Sequence, residues 1–322
     1  MGRVFVTRAV PGRALELLKD AGHDIDLWPG ELPPAGGDLV QHLTVADAAL
    51  TMVTDRISAE LMDGCPRLRI IANMAVGYDN VNPGDAASRG IWLTNTPGVL
   101  AQTTADFAFS LMLSAARNVT ASDRDTRAGG WKTWSPTAFL GPDIHGATLG
   151  IVGLGEIGEQ VARRARGFEM RLLYASRSRK PALEADMGIA WRSLDDLLAE
   201  ADFVSMHVPL TPETRHMMGA AQFARMKPSA IFVNTARGTV IDQDALVAAL
   251  RAGQVAGAAL DVTDPEPLPL DHPLFGFPNV VITPHIASAS LPTRSRMAEM
   301  AAENIIAALA GREPINPVNR LG

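Results

Sequence analysis

Three short stretches each place one chemically able side chain in a loop. NTARG carries Arg237, DVTDPEPLP carries Glu266 and ITPHIAS carries His285. Each follows an apolar run that reads as a strand, so each residue falls at a strand's carboxyl end, where doubly wound sheets bind their ligands. Together the three suit reduction of a carbonyl that neighbours a carboxylate. Histidine is the natural proton donor near neutral pH. A glutamate beside it orients the ring and stabilises the imidazolium form. An arginine pairs with the carboxylate and polarises the carbonyl. Singly, each has an ordinary structural use as an ion pair, a solvated loop acid or a satisfied loop histidine. Their order after consecutive strands is what sets them apart.

Such a reduction needs a hydride source, and a candidate site lies upstream. GLGEIG supplies Gly153, Gly155 and Gly158 in G-x-G-x-x-G spacing, after the apolar LGIV and before a helical pattern. The glycines allow a tight turn, a close approach of backbone to a pyrophosphate and close packing of helix on strand. The whole turn, Gly153, Leu154, Gly155, Glu156, Ile157 and Gly158, is the expected pyrophosphate site, with the helix N-terminus adding free N–H groups. Glu156 would repel a pyrophosphate unless its side chain points to solvent. About 20 residues on, an NAD-preferring turn places an acid to hold the ribose 2′-hydroxyl. Here LYASRSRK offers Ser176, Arg177, Ser178, Arg179 and Lys180, with no acid between Met170 and Leu183. Arginine and serine suit a 2′-phosphate. NADP is therefore the expected cofactor, with NAD as the alternative.

Other reactive residues are less well placed. His207, in HVPLTPET, reads as cofactor wall, His272 as part of a turn, and His216 has no evident partner. No His, Cys or Asp cluster has metal-ligand spacing, so no metal is expected. Cys65 is the only cysteine, which excludes an intrachain disulfide and suits a reducing cytoplasm. The chain has 322 residues, 47% hydrophobic and 20% charged, with a net charge of −6. That composition suits a globular protein and points to neither nucleic acid nor an anionic membrane. The N-terminal stretch reads as strand and turn, not as a signal peptide.

The elements that position these residues follow a βα rhythm. Strand-like runs cover Arg3–Thr7, His23–Trp28, Ala48–Val53, Leu68–Asn73 and Ile91–Asn95. A long helix is predicted over Val99–Arg117, then a loop over Ala128–Gly146. A second series begins at Thr148, with a helix at Glu159–Arg166. Its strands are Arg171–Tyr174, Phe203–His207, Ala230–Asn234, Gly257–Asp261 and Val280–Thr283, and a helix follows at Pro292–Ala310. The fold class is α/β, with two doubly wound parallel-sheet units of which the second carries the glycine turn.

These residues carry a resemblance. NMAVGYDNV, NTPGVLAQTTADFAFSLML, GIVGLGEIG, HVPLTPET, FVNTARGTVID, GAALDVTDPEPLPLDHPLF and NVVITPHIASAS resemble the D-isomer-specific 2-hydroxyacid dehydrogenases over nearly the whole chain. DVTDPEPLP, GGWKTWSP and the basic SRSRK turn are most similar to the glyoxylate/hydroxypyruvate reductases within that family. The resemblance implies Arg237, Glu266 and His285 as the catalytic set. It implies that the N–H groups of Val76 and Gly77 hold the substrate carboxylate, and that Arg237 and His285 also touch substrate. Asp261 would meet the nicotinamide carboxamide, and Thr235 and Pro209 would line the cofactor. Val53 is a pocket candidate by its position in TMVTD. The family's dimers interlock through the segment after Val99, so a homodimer is expected, and Trp134 would either reach a neighbour's pocket or pack in the interface. Glu156 departs from the arginine often found in the family's glycine turn.

The family fold implies a discontinuous substrate-binding domain, residues 1–98 and 287–322, a dinucleotide-binding domain, 99–286, and a cleft between them. The expected reaction is NADPH-dependent reduction of small 2-keto acids. The rivals are another dehydrogenase of the family, such as a phosphoglycerate dehydrogenase, and a nucleotide-sensing corepressor. A corepressor would show a lost catalytic set or long tails, and this chain shows neither.

Overall fold

The computed structural model describes residues 1–321. Its chain divides into two compact units. One runs from Met1 to Leu100 and takes in the stretch from Ala289 onward; the other is Ala101–Ser288.

The first unit is built on a five-stranded sheet of β1 (Arg3–Val6), β2 (Asp24–Leu27), β3 (Ala48–Thr51), β4 (Ile70–Asn73) and β5 (Trp92–Thr94), in the order β2-β1-β3-β4-β5. Every pairing is parallel. Successive side chains of a strand point to opposite faces. Phe5, Ala49, Ile71 and Leu93 accordingly meet one core cluster, while Val4, Val6, Leu50 and Ile70 meet another beside the long helix Leu291–Leu309. The C-terminal helix is thus a layer of this first unit.

The second unit holds a seven-stranded sheet of β6 (Thr148–Val152), β7 (Arg171–Ala175), β8 (Ala190–Trp191), β9 (Phe203–Met206), β10 (Ile231–Asn234), β11 (Gly257–Leu260) and β12 (Val280–Ile282). Their order is β12-β11-β10-β9-β6-β7-β8, again all parallel. Every residue of β6 is buried, as a strand covered on both faces requires. Leu149 and Ile151 pack with Tyr174, Phe203 and the helix Ala101–Ala116. Val152 packs on the opposite face with Met206 and Phe232.

Two differences from the sequence reading matter for the site. The helix expected over Glu159–Arg166 begins earlier, at Glu156, because extended Gly155 forms its N-cap. The long helix ends at Ala116, and a second one, Val119–Arg127, follows after Asn118, whose φ is 52°. That second helix buries none of its residues, so it has no apolar stripe by which its sequence, VTASDRDTR, would betray a helix. No helix among the described residues is long and apolar enough to cross a membrane.

Candidate active site

In the seven-stranded sheet the chain runs outward from β6 through β7 to β8, then returns to β9 on the other side of β6. This is a topological switch point, the place where doubly wound sheets open a crevice. The glycine turn follows β6 there. Gly153 has φ 95°, and a Cβ on it would meet the carbonyl of His207 at 2.6 Å. A Cβ on Gly158 would meet the carbonyl of Gly153 at 2.2 Å. A Cβ on Gly155, by contrast, would find nothing within 4 Å. Two glycines let backbone close on itself, and the third leaves open space above the helix N-terminus. Leu154 is buried in the core and Ile157 packs against it. Glu156 is exposed.

Other features of this unit fit a dinucleotide. Thr235, after β10, keeps its Oγ1 buried without a partner among the described residues. Pro209 is exposed in the loop after β9. His207, two residues earlier, takes a hydrogen bond between its Nε2 and Ser205 Oγ at 2.8 Å. Burial lowers its pKa to about 3, which favours the neutral imidazole near neutral pH. Among the described residues, no group of His, Cys, Asp and Glu could hold a metal ion.

The basic turn after β7 is less free than its sequence suggests. Arg179 pairs with Glu184 and lies over the Trp191 ring at 6.0 Å. Glu184 also accepts from Tyr174 Oη at 2.7 Å, and these hydrogen bonds, Arg179's first, hold its carboxyl below the usual range. The acid missing near the turn in sequence is therefore supplied in space. Ser176 Oγ donates to Ser178 O at 2.6 Å, inside the turn. Arg177 is exposed, has no hydrogen bond or ion pair among the described residues, and lies within electrostatic reach of Glu213. It is the guanidinium of the turn that remains available to a phosphate.

Neighbouring strands β10, β11 and β12 carry Arg237, Glu266 and His285 at their common carboxyl edge. His285 Nδ1 lies 2.5 Å from Glu266 Oε1, and both side chains are partly exposed. This bond fixes the orientation of the ring. Glu266 lies between the cis Asp264–Pro265 and Glu266–Pro267 peptides. Arg237 Nη1 donates to Ala236 O at 2.9 Å, and Asn234 Nδ2 donates to Arg237 O at 2.8 Å. Just beyond, a Cβ on Gly238 would strike Thr263 O at 1.9 Å. Only glycine lets the Arg237 loop lie directly on the loop that leads to Glu266.

Two side chains hold these loops, and one of them, Gln243, went unnoticed in the sequence. Gln243 Nε2 donates to Asp264 O at 2.7 Å, and its Oε1 accepts from Asp264 N at 3.1 Å. His285 has φ 53°, a conformation that costs a non-glycine residue on the order of 1–3 kcal/mol and persists only where its surroundings enforce it. Asp261 supplies the enforcement. Its carbonyl accepts from His285 N at 2.9 Å. Its carboxylate accepts from Ile286 N at 2.9 Å, Ala287 N at 2.8 Å and Thr283 Oγ1 at 2.7 Å. Burial nonetheless pushes this carboxyl's pKa up against those hydrogen bonds. The side chain that the resemblance assigns to the carboxamide thus already carries the His285 turn.

The remaining candidates lie elsewhere. Val53, Val76 and Gly77 follow β3 and β4 in the first unit. The N–H groups of Val76 and Gly77 donate to no described residue. Trp134 is 80% exposed, within a stretch, 123–143, that is exposed throughout.

Comparison with other proteins places these elements in a known family. Residues 109–287 match the model of the D-isomer specific 2-hydroxyacid dehydrogenase NAD binding domain. The chain is 52% identical to a glyoxylate reductase of Korarchaeum cryptofilum, over 99% of this chain and 96% of that one. A solved structure from Thermus thermophilus superposes with a TM-score of 0.93 at 48% identity, covering 98% of this chain and 99% of that one. An NADPH-dependent glyoxylate/hydroxypyruvate reductase from Sinorhizobium meliloti, solved with NADP and malonate, gives a TM-score of 0.84 at 31% identity, covering 98% and 96%. The similarity spans both units and includes the strand ends that bear the histidine and its acid: the chain belongs to the D-isomer specific 2-hydroxyacid dehydrogenase family.

Proposed function

We propose that this protein reduces small 2-keto acids with NADPH, taking glyoxylate to glycolate and hydroxypyruvate to D-glycerate. The observation that carries the reading is the 2.5 Å bond between His285 and Glu266, beside the strand that bears Arg237. The name and cofactor of the relatives support the choice of substrate.

The chain's own residues divide the work. Val76 and Gly77 hold the substrate carboxylate with backbone N–H groups, and Val53 bounds the pocket. Arg237 pairs with the same carboxylate and draws electron density from the carbonyl oxygen. The glycine turn would hold the cofactor by its pyrophosphate, and the reduced nicotinamide would supply the hydride. His285 gives the carbonyl oxygen its proton, and Glu266 stabilises the ring while it is charged. Thr235 and Pro209 line the cofactor, and Arg177 takes its 2′-phosphate with help from the Ser176–Ser178 turn. Two copies pair through the exposed 123–143 stretch, where Trp131, Trp134, Phe139 and Leu140 present apolar surface.

The test is steady-state turnover of glyoxylate and hydroxypyruvate with NADPH and with NADH. NADPH should give a kcat/KM higher by about tenfold or more, the worth of a charge-assisted hydrogen bond. Absence of turnover of both acids with either cofactor would overturn the proposal.

A further inference from the structure

The turn after β4 has an unusual division of its polar groups. Three successive carbonyls are each held from within the unit. Ala75 O accepts from Thr96 N at 2.9 Å. Val76 O accepts from Asn95 Nδ2 at 2.8 Å. Gly77 O accepts from Asn73 Nδ2 at 3.0 Å. Within a trans peptide the N–H points opposite to the C=O. Fixing those carbonyls therefore fixes the N–H groups of Val76, Gly77 and Tyr78 on the other side, and none of the three donates to a described residue. The result is a row of oriented, unspent donors at the carboxyl edge of a parallel sheet, an arrangement that receives an anion.

The donors behind the turn are themselves tied down. Asn73 is fully buried, and its Oδ1 accepts from Thr51 Oγ1 at 3.2 Å. Asn73 Nδ2 also lies 3.2 Å from Asn80 Oδ1. Asn80 Nδ2 donates to Asp55 O at 2.9 Å and to Met52 O at 3.1 Å. Asp55 is buried, accepts from Met52 N at 2.8 Å and is bonded to Thr7 Oγ1 after β1. One continuous network thus runs from the end of β1, through the loop that holds Val53, to the Val76–Gly77 turn. It crosses between β1 and β3, the switch point of the five-stranded sheet.

We propose that Asn73, Asn80 and Asn95 are positioning residues for the substrate carboxylate. Asn73 and Asn95 aim the N–H groups of the turn, and Asn80 sets the distance between that turn and Val53. The inference rests on the reading of Val76 and Gly77 as the carboxylate site. None of the three asparagines touches substrate, so their removal acts on carboxylate affinity and leaves proton donation by His285 and cofactor binding alone.

The probe is oxamate, a non-reducible carboxylate analogue of a 2-keto acid, titrated by calorimetry into the NADPH-bound protein. The variants are Asn95→Ala, at a partly exposed position, and Asn73→Ala, at a buried one. Each leaves a turn carbonyl without its donor and should weaken oxamate by about tenfold. KM for glyoxylate should rise in parallel, with kcat lowered less and NADPH affinity within twofold of wild type. A merely structural role would instead lower the melting temperature and move cofactor and substrate affinities together. If Asn73→Ala does not fold, Asn95→Ala alone decides. Oxamate affinity unchanged in folded Asn95→Ala, or absent in the wild type, overturns the inference. Loss of oxamate affinity in a protein that reduces neither glyoxylate nor hydroxypyruvate supports the positioning role and overturns the substrate reading instead.

Discussion

His285 is defined less by its own chemistry than by two acids that treat it differently. Glu266 bonds its Nδ1, while buried Asp261 holds its backbone and the two N–H groups that follow. Replacing His285 with Ala should lower kcat by about 10²- to 10⁴-fold, the usual contribution of a positioned proton donor. NADPH affinity, measured by fluorescence titration, should survive; its loss would mean that the residue serves cofactor binding. Arg177 makes a similar test of cofactor choice. With Arg179 committed to Glu184, Arg177→Ala alone should remove most discrimination, lowering kcat/KM for NADPH by about ten- to a hundredfold and leaving NADH nearly untouched. Equal loss with both cofactors would show that the turn does not read the 2′-phosphate.

Strands depend on contacts at their far ends as well as at the site. Asp202 joins β6, β9 and β10 at the edge opposite the loops that carry Arg237, Glu266 and His285. Its carboxylate accepts from Thr148 N at 2.9 Å and Lys227 Nζ at 2.8 Å, and its carbonyl accepts from Ile231 N at 3.0 Å. Burial pushes this carboxyl up, but the Lys227 ammonium and the Thr148 N–H outweigh it, and the net shift is downward. A carboxyl whose folded pKa is depressed adds stability above its unfolded value, near 3.9, and loses it as pH falls through the folded one. Discounted for partial exposure, the contribution is on the order of 1 kcal/mol. Asp202→Asn should therefore lower the melting temperature at neutral pH by about 2–4 °C. The gap from wild type should close below about pH 4, and kcat should not change. A gap that persists in acid would assign the effect to packing rather than charge.

The whole molecule presents its apolar surface unevenly. Trp131, Trp134, Phe139 and Leu140 are all exposed along one stretch, and single large apolar side chains rarely gather so on a monomer's surface. Sedimentation should return twice the 34.2 kDa chain mass. Trp134→Ala distinguishes the two uses of that ring. A pocket role would raise KM for hydroxypyruvate at protein concentrations where the mass stays dimeric, whereas plain interface packing would weaken association and leave KM alone. A monomeric wild type would remove the basis for both. Glyoxylate and hydroxypyruvate should be reduced far better than phenylpyruvate, and comparable kcat/KM values for all three would rule out a narrow pocket.

Local patterns made much of this legible. Apolar runs of strand length and the spacing of Gly153, Gly155 and Gly158 depend on neighbours in the chain, so the alternating α/β rhythm and the glycine turn could be read directly. Arg237, Glu266 and His285 could be recognised as a set because each follows a strand. Folding decided the rest, because it depends on residues far apart in sequence. That Glu266 meets His285 Nδ1, that Asp261 spends its carboxylate on the His285 turn, and that Gln243 clamps the loop before Glu266 are all contacts across separate βα units. The basic turn is the plainest case. Composition counted Arg177 and Arg179 alike, and only the helix after β7, by carrying Glu184 back over the strand, neutralised one and left the other for a ligand. The helix Val119–Arg127 escaped notice because it buries nothing. A sequence records a helix through the face it hides, and this one hides none within its own chain.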